Sequence, residues 1–161
     1  MTLETIGFGG GCHWCTEVVF TALNGVASVE QGFIRSIPPA GSWSEAVRIG
    51  FDPCAIDLAS LIEIHLRTHA STSAHSMREK YRSAIYTLDA AQAERAGVVL
   101  ETLQAGFEAP IITKVLPLSD FNASPPQFQN YYASNPERPF CQRYIDPKLK
   151  LIREQFAKHA A

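Results

Sequence analysis

A run of three glycines, Gly9 to Gly11, separates two segments of different pattern and limits how the chain can begin to fold. Before it, residues 5–8 form a short apolar run that predicts a β-strand. After it, apolar residues recur at helical spacing: Cys15, Val18, Val19, Ala22 and Leu23. Asn24-Gly25 is typical of a helix end. Cys12 is therefore predicted to lie where a strand gives way to the N-terminus of a helix.

The predicted position of Cys12 allows two interpretations. Free backbone N–H groups and the helix dipole stabilise an anion at a helix N-terminus, so the pKa of a thiol is lowered there. The glycines carry no side chains that would keep a substrate from the sulfur. These features predict an activated nucleophile. In the alternative, the glycines only form a turn and Cys12 is a small buried residue. The residues of this segment do not separate the two.

Composition excludes several classes of protein. The 161 residues suffice for a well-buried core, and we predict a single domain over residues 1–161. The 14 basic and 16 acidic residues give a net charge of −2, which offers no electrostatic basis for binding nucleic acid or an anionic membrane. No apolar segment approaches the ~20 residues that cross a bilayer. Residues 1–5 lack a signal-peptide pattern, so we expect a cytoplasmic protein, and separately we expect a monomer. Four cysteines in such a chain favour redox or catalytic use.

Residues 45–51 predict a strand whose alternation singles out Glu45. Side chains two apart share a face, so Glu45 shares one with Val47, Ile49 and Phe51. An apolar face disfavours the ionised form of a carboxyl, and a carboxyl that stays protonated near neutral pH is suited to general acid catalysis. In the alternative, Glu45 is only the first residue of the strand and reaches solvent.

The rest of the chain alternates strand and helix patterns, which indicates an α/β or α+β domain. Segments rich in β-branched or aromatic residues predict strands at 26–34, 84–88 and 111–118. Asp57 and Asp89 are predicted helix N-caps. His65 and His69 lie on the apolar stripe after Asp57, where a histidine is more often a core residue with one satisfied nitrogen than a ligand.

Residues 10–17, with the sequence GGCHWCTE, are similar to the GGCFWCTE motif of the A-type peptide-methionine sulfoxide reductases, with His13 in place of phenylalanine. Further similar stretches extend the resemblance over nearly the whole chain: Ser44-Glu45-Ala46-Val47, residues 80–85, and Phe140-Cys141 after Asn135-Pro136. Phe140-Cys141 is expected to lie in a loop, since Asn135-Pro136 ends the helical pattern before it. The resemblance implies a two-layer sandwich with a mixed β-sheet and a split β-α-β, ferredoxin-like core.

The resemblance also implies the roles of individual residues. Cys12 would attack the sulfur of methionine sulfoxide while Glu45 donates a proton to its oxygen. Tyr81 would hold that oxygen. The sulfenic acid left on Cys12 would then condense with Cys141 to a disulfide. Cys15 is nearer to Cys12 in sequence, but its helical position is predicted to face the core.

The expected substrate pocket departs from the family. His13 and Trp14 would line a pocket for the S-methyl group. Phe33 and Ser76 stand where the family has a tyrosine and an aspartate, so two polar groups of the oxygen-binding cluster are missing. The implied reaction is thiol-dependent reduction of methionine S-sulfoxide, free or in proteins, to repair oxidative damage. Thioredoxin or a similar dithiol would be the reductant, and no cofactor is expected.

Three other functions fit parts of this pattern. Cys12 and Cys15 form a C-x-x-C at a strand–helix junction, as in a thioredoxin-like disulfide oxidoreductase. However, the cis-proline of that fold cannot be placed in this sequence. The missing polar groups alternatively predict a module that binds methionine-containing peptides without reducing them. A zinc site made from the two cysteines and His13 needs a fourth ligand, and Cys54 and Cys141 are isolated in sequence.

Overall fold

The computed structural model describes residues 2–161, so Met1, the first residue of the predicted domain, lies outside the described residues. The strands are β1 (Glu4–Gly9), β2 (Val26–Arg35), β3 (Ser44–Phe51), β4 (Ala84–Thr87), β5 (Lys114–Pro117) and β6 (Asp120–Ala123). The α-helices are α1 (His13–Thr21), α2 (Leu58–Arg67), α3 (Ala90–Leu103), α4 (Tyr131–Ser134) and α5 (Asp146–Gln155). None of the helices within residues 2–161 has the length and apolarity to cross a membrane.

All six strands belong to one sheet, in the order β5-β4-β1-β3-β2-β6. Strands β4 and β5 are parallel, and every other neighbouring pair is antiparallel. Strand β3 lies between β1 and β2, while β1 lies between β3 and β4. The units β1-α1-β2 and β3-α2-β4 are therefore two interleaved split β-α-β units. The predicted mixed-sheet α/β class with a ferredoxin-like core is confirmed.

The main core lies between one face of the sheet and the helices. Alternate residues of β1 and β3, such as Phe8 and Val47, point to this side and are fully buried. Phe8 stacks on Phe20 of α1 with ring centroids 4.6 Å apart. Burying a side chain of this size contributes about 1.5–3 kcal/mol. The C-terminal end of α1 is thus packed on β1, and this contact joins the two elements on either side of the glycine run.

The predicted helix caps are confirmed. The Asp57 side chain accepts a hydrogen bond from the Ser60 backbone N–H at 2.8 Å. The Asp89 side chain accepts one from the Gln92 N–H, also at 2.8 Å, and the Gln92 side chain accepts one from the Leu88 N–H. These bonds satisfy N–H groups that have no partner within the helix.

The C-terminal third of the chain differs most from the sequence-based expectation. Strand β5 begins at Lys114 rather than at residue 111, because the Ile112 N–H donates to the Ser71 carbonyl outside the sheet. Strand β6 was not predicted, since it is a short edge strand with little apolar alternation. Cys141 was expected in a loop, but it begins a π-helical turn, Cys141–Ile145, that leads directly into α5. The loop prediction for Cys141 is wrong.

Candidate active site

Cys12 lies between β1 and α1, as the glycine run predicts, and it is the N-cap residue of α1. Its carbonyl accepts hydrogen bonds from the Cys15 and Thr16 N–H groups at 3.1 and 3.2 Å. A Cβ on Gly10 would collide with the imidazole ring of His69, so this position requires glycine. Cys12 is partly exposed. Its thiol therefore combines access with the electrostatics of a helix N-terminus.

Hydrogen bonding separates the acidities of the two cysteines in the C-x-x-C segment. The Cys15 side chain bonds to Cys12, and this contact, helped by the Trp14 backbone, lowers the pKa of Cys12. Burial and the Glu45 charge act in the opposite direction without reversing the result. The same hydrogen bond, together with burial, raises the pKa of Cys15. The arrangement favours a thiolate on Cys12 and a neutral thiol on Cys15.

Glu45 lies on the helix-facing side of β3, as the strand alternation predicts, and is 7% exposed. Its Oε1 accepts a hydrogen bond from the His13 backbone N–H at 3.1 Å and lies 3.6 Å from His13 Nε2. Lys80 Nζ is 3.8 Å from Oε2. The apolar surroundings inferred from the strand pattern are thus interrupted by polar groups of α1 and of the segment before β4. These groups can support the carboxyl in either protonation state.

Aromatic side chains from distant parts of the chain surround the first turn of α1. Trp14 stacks on Tyr131 with ring centroids 4.1 Å apart, and Phe140 meets Trp14 edge-on at 5.8 Å. The His13 ring contacts the Phe33 ring in a T-shaped arrangement at 5.2 Å. His13 and Trp14, expected to line a methyl pocket, therefore pack against different partners.

A cavity of about 510 Å³ opens beside Cys12. Tyr81 lines it, together with Phe140, Tyr144 and Lys148 from the C-terminal segment. His13, Trp14, Phe33 and Glu45 do not form its walls. Ser76 is exposed and lines a separate depression of about 380 Å³, shared with Trp43 and Lys80. Of the predicted site residues, the structure brings Cys12 and Tyr81 to the walls of one cavity and leaves the others, including Cys141 and Ser76, outside those walls.

Three thiols share one apolar cluster, which also contains Val18 and Ile145. Cys15 and Cys141 belong to it as buried members, and Cys12 packs against it. Cys141 has no exposed surface, and its burial raises the pKa of its thiol. All four cysteines are free, and Cys54 is exposed and outside the cluster. Both candidate resolving cysteines therefore lie near Cys12.

Two residues that position the site were not identified as such from the sequence. Glu17 is buried and accepts hydrogen bonds from the Asn130 and Tyr131 N–H groups at 2.9 and 3.2 Å, which fixes the C-terminal segment on α1. The sequence does contain a signal for this role, because Glu17 is a charged residue next to the apolar positions of α1. Lys148 lines the cavity and donates to the Thr68 carbonyl. Its sequence position gave no signal, because only the fold brings α5 to the cavity.

His65 is a buried core residue with one bonded nitrogen, as predicted. The prediction is wrong for His69, which is only partly buried and has both ring nitrogens bonded. Both histidines also line the cavity. His65 Nε2 lies 2.8 Å from the Gly9 carbonyl oxygen, and its Nδ1 is buried without a partner. His69 Nε2 lies 2.8 Å from Ser83 Oγ. Burial lowers the pKa of His65 well below its ordinary range and that of His69 to about 4. Within residues 2–161, no group of three or more His, Cys, Asp or Glu side chains is placed to hold a metal ion.

Comparison with known proteins agrees with this arrangement. The family model described as peptide methionine sulfoxide reductase matches residues 4–160. The peptide methionine sulfoxide reductase MsrA of Chromobacterium violaceum is 36% identical, covering 96% of this chain and 97% of its own. That of Deinococcus radiodurans is 34% identical, covering 92% and 80%.

Solved structures show the same fold. Methionine sulfoxide reductase A of Corynebacterium diphtheriae matches with a TM-score of 0.72 at 27% identity, covering 83% of this chain and 76% of that one. Reduced Mxr1 of Saccharomyces cerevisiae gives a TM-score of 0.74 at 22% identity, covering 84% and 87%. The fold and the Cys12 site define a thiol-based oxidoreductase, which confirms the predicted enzyme class. The chain belongs to the peptide methionine sulfoxide reductase family.

Proposed function

We propose that this protein reduces methionine S-sulfoxide, free or within proteins, to methionine, with Cys12 as the nucleophile. The observation that carries the proposal is Cys12 itself. It is an N-cap thiol with a lowered pKa, it opens on a cavity, and it lies one residue before the backbone N–H that binds Glu45. Family membership favours this function over a thioredoxin-like oxidoreductase or a non-catalytic binding module.

The chemistry needs a soft nucleophile and one proton. The Cys12 thiolate attacks the electrophilic sulfur, and Glu45 gives a proton to the sulfoxide oxygen. Thiolate, sulfoxide and one proton yield methionine and a sulfenic acid on Cys12, so atoms and charge balance. Tyr81, on the wall of the same cavity, holds the oxygen by a hydrogen bond.

The remaining predicted residues shape the binding site. Trp14 provides an apolar surface for the S-methyl group, and its stacking on Tyr131 fixes the indole ring. His13 and Phe33 pack together beside Glu45 and limit the space around the carboxyl. Ser76 lies in its own surface depression, and we assign it to contacts with residues of a peptide substrate beyond the sulfoxide.

A second thiol converts the sulfenic acid to a disulfide with loss of water. Cys141 is the proposed resolving thiol, since it belongs to the cluster on which Cys12 packs. The hydrogen bond between Cys15 and Cys12 is a specific observation in favour of Cys15 as the second candidate. A dithiol reductant of the thioredoxin type then restores the thiols by exchange. A yeast relative with this fold has been solved in complex with Trx2.

A single turnover tests the function. Fully reduced protein is mixed with each epimer of a blocked methionine sulfoxide without reductant, and methionine and remaining thiols are counted. We expect one methionine and the loss of two thiols, with the S epimer only. Methionine from neither epimer would overturn the proposed function.

The same measurement on variants assigns the resolving thiol. Cys141→Ser and Cys15→Ser each remove one candidate, and Cys54→Ser is the matched control because Cys54 is exposed and outside the cluster. The variant that still forms methionine but accumulates sulfenic acid lacks the resolving thiol. Full disulfide formation in Cys141→Ser would transfer that role to Cys15.

A further inference from the structure

The imidazole of His13 is held in one orientation. Its ring is buried, and Nδ1 lies 2.8 Å from the Gly32 carbonyl oxygen. A carbonyl can only accept, so Nδ1 carries a hydrogen and donates it. In the neutral ring the lone pair is then on Nε2, and in the protonated ring Nε2 also carries a hydrogen. The protonation of His13 is therefore decided at Nε2.

The Nε2 atom of His13 faces the Glu45 carboxyl. It is 3.6 Å from Oε1, the oxygen that also accepts the His13 backbone N–H at 3.1 Å. The other charged or titratable groups near this carboxyl are Lys80, 3.8 Å from Oε2 with a mostly exposed side chain, and the Cys12 thiol. Lys80 also contacts the Tyr81 ring. Both side chains are about nine-tenths buried, so the 3.6 Å between Nε2 and Oε1 is largely out of bulk solvent, and a small movement of either side chain brings the two atoms within hydrogen-bond distance.

The neighbour of His13 adds a second reason. The Phe33 ring, 5.2 Å from the imidazole, carries no hydroxyl and offers no proton or hydrogen bond. The resemblance described above implies a phenylalanine at position 13 and a tyrosine at position 33 in the family. In this chain the polar ring is at position 13, as His13, and the apolar ring is at position 33, as Phe33. The His13 imidazole, which contacts Phe33, is therefore a candidate to replace the tyrosine hydroxyl that Phe33 lacks.

We propose that His13 and Glu45 together hold one proton and that His13 supplies it to Glu45 in each turnover. The His13 imidazolium passes its Nε2 proton to the Glu45 carboxylate, and Glu45 gives that proton to the sulfoxide oxygen, which leaves a neutral imidazole and a carboxylate. Neutral His13 then takes a proton from solvent, which closes the cycle without any other reactant. His13 acts through Glu45 and is a positioning residue. The proposal rests on the proposed function, in which Glu45 is the proton donor.

The first test is the pH dependence of the single-turnover rate. In His13→Phe, Glu45 must take its proton from water. As the pH is raised, the single-turnover rate of this variant should therefore begin to decline at a lower pH than that of the wild type. At pH 8 we expect a loss of at least about tenfold, within the range of general acid catalysis, with little change at pH 5.5. The double variant His13→Phe/Phe33→Tyr, which restores a hydroxyl beside Glu45, should recover part of the loss at pH 8. A purely structural role for His13 predicts equal losses at all pH values.

The second test does not depend on activity. The ¹⁵N resonance of His13 Nε2 is followed by NMR through a pH titration of the wild type and of Glu45→Gln. If the pair shares a proton, the His13 titration moves to lower pH in Glu45→Gln, because the carboxylate no longer stabilises the imidazolium. An unmoved titration, or an unchanged pH–rate profile in His13→Phe, would overturn the inference. A wild type that forms no methionine but shows the coupled titration would instead contradict the proposed function alone.

Discussion

At the scale of single residues, the site depends on pairs in which one side chain sets the protonation of another. The Cys15 thiol donates to Cys12, and the backbone and ring of His13 both face Glu45. These pairs combine residues one turn apart on α1 with residues of a facing strand. A substitution is therefore expected to act on its partner as well as on itself.

The pair of cysteines gives a direct prediction. Cys15→Ala removes the hydrogen bond that contributes most to lowering the pKa of Cys12. The thiolate of Cys12 should then form at higher pH, and its alkylation by iodoacetamide at pH 7 should slow several-fold. Cys15→Ser keeps a donor at this position and serves as the matched control. Alkylation profiles that coincide for the alanine and serine variants would contradict this role for Cys15.

At the scale of elements, the C-terminal end of α2 packs against the glycine run. His65 and His69 reach the carbonyl of Gly9 and the space beside Gly10, and burial keeps both rings neutral. The unfolded chain binds a proton on His69 near pH 6.5, whereas the folded protein does so only near pH 4. The unfolded state therefore binds more protons between these values, and stability falls as the pH is lowered through them.

This linkage predicts a pH-dependent stability. The contribution of His69 to the free energy of unfolding should decline by roughly 3 kcal/mol between pH 6.5 and pH 4. His69→Gln cannot titrate, so its stability should depend on pH less steeply, by up to about 1.4 kcal/mol per pH unit. Urea unfolding at several pH values measures both. Parallel curves for the variant and the wild type would exclude His69 as a source of the slope.

At the scale of the whole molecule, the active site is completed by a C-terminal segment that packs on the α/β core. Glu17 binds the Asn130 and Tyr131 N–H groups, and Trp14 stacks on Tyr131. Cys141, Phe140 and Lys148 belong to this segment. Since Cys141 has no exposed surface, a reagent or a reductant reaches its sulfur only when the segment moves.

The attachment of this segment can be weakened selectively. Glu17→Gln removes a buried carboxylate that accepts two backbone N–H groups, at a cost of about 1.5–3 kcal/mol. We expect faster alkylation of Cys141 in the native protein and faster amide exchange over residues 131–145. Glu30→Gln is the matched control, because Glu30 is exposed and pairs with Arg48 at the surface. Unchanged reactivity of Cys141 in Glu17→Gln would show that other contacts hold the segment.

Local patterns in the sequence predict the β1–α1 junction, the alternation of β3 and the Asp57 and Asp89 caps, because each depends on neighbouring residues. The motif adds the family and the fold. The sequence does not reveal that His13 faces Glu45, since that contact depends on where β3 lies relative to α1. The helical turn at Cys141 is hidden for a similar reason, because contacts with distant residues fix its conformation.

The clustering of Cys12, Cys15 and Cys141 has a consequence for how oxidising equivalents are stored. In the proposed cycle two electrons leave the cluster in each turnover, so one of the three sulfurs remains a thiol and can attack the disulfide formed by the others. The oxidised protein of that cycle can therefore exchange between disulfides that join different pairs of the three sulfurs. Cys12 is the most accessible of the three sulfurs. An external dithiol that attacks at Cys12 can therefore reduce the whole cluster from that one sulfur.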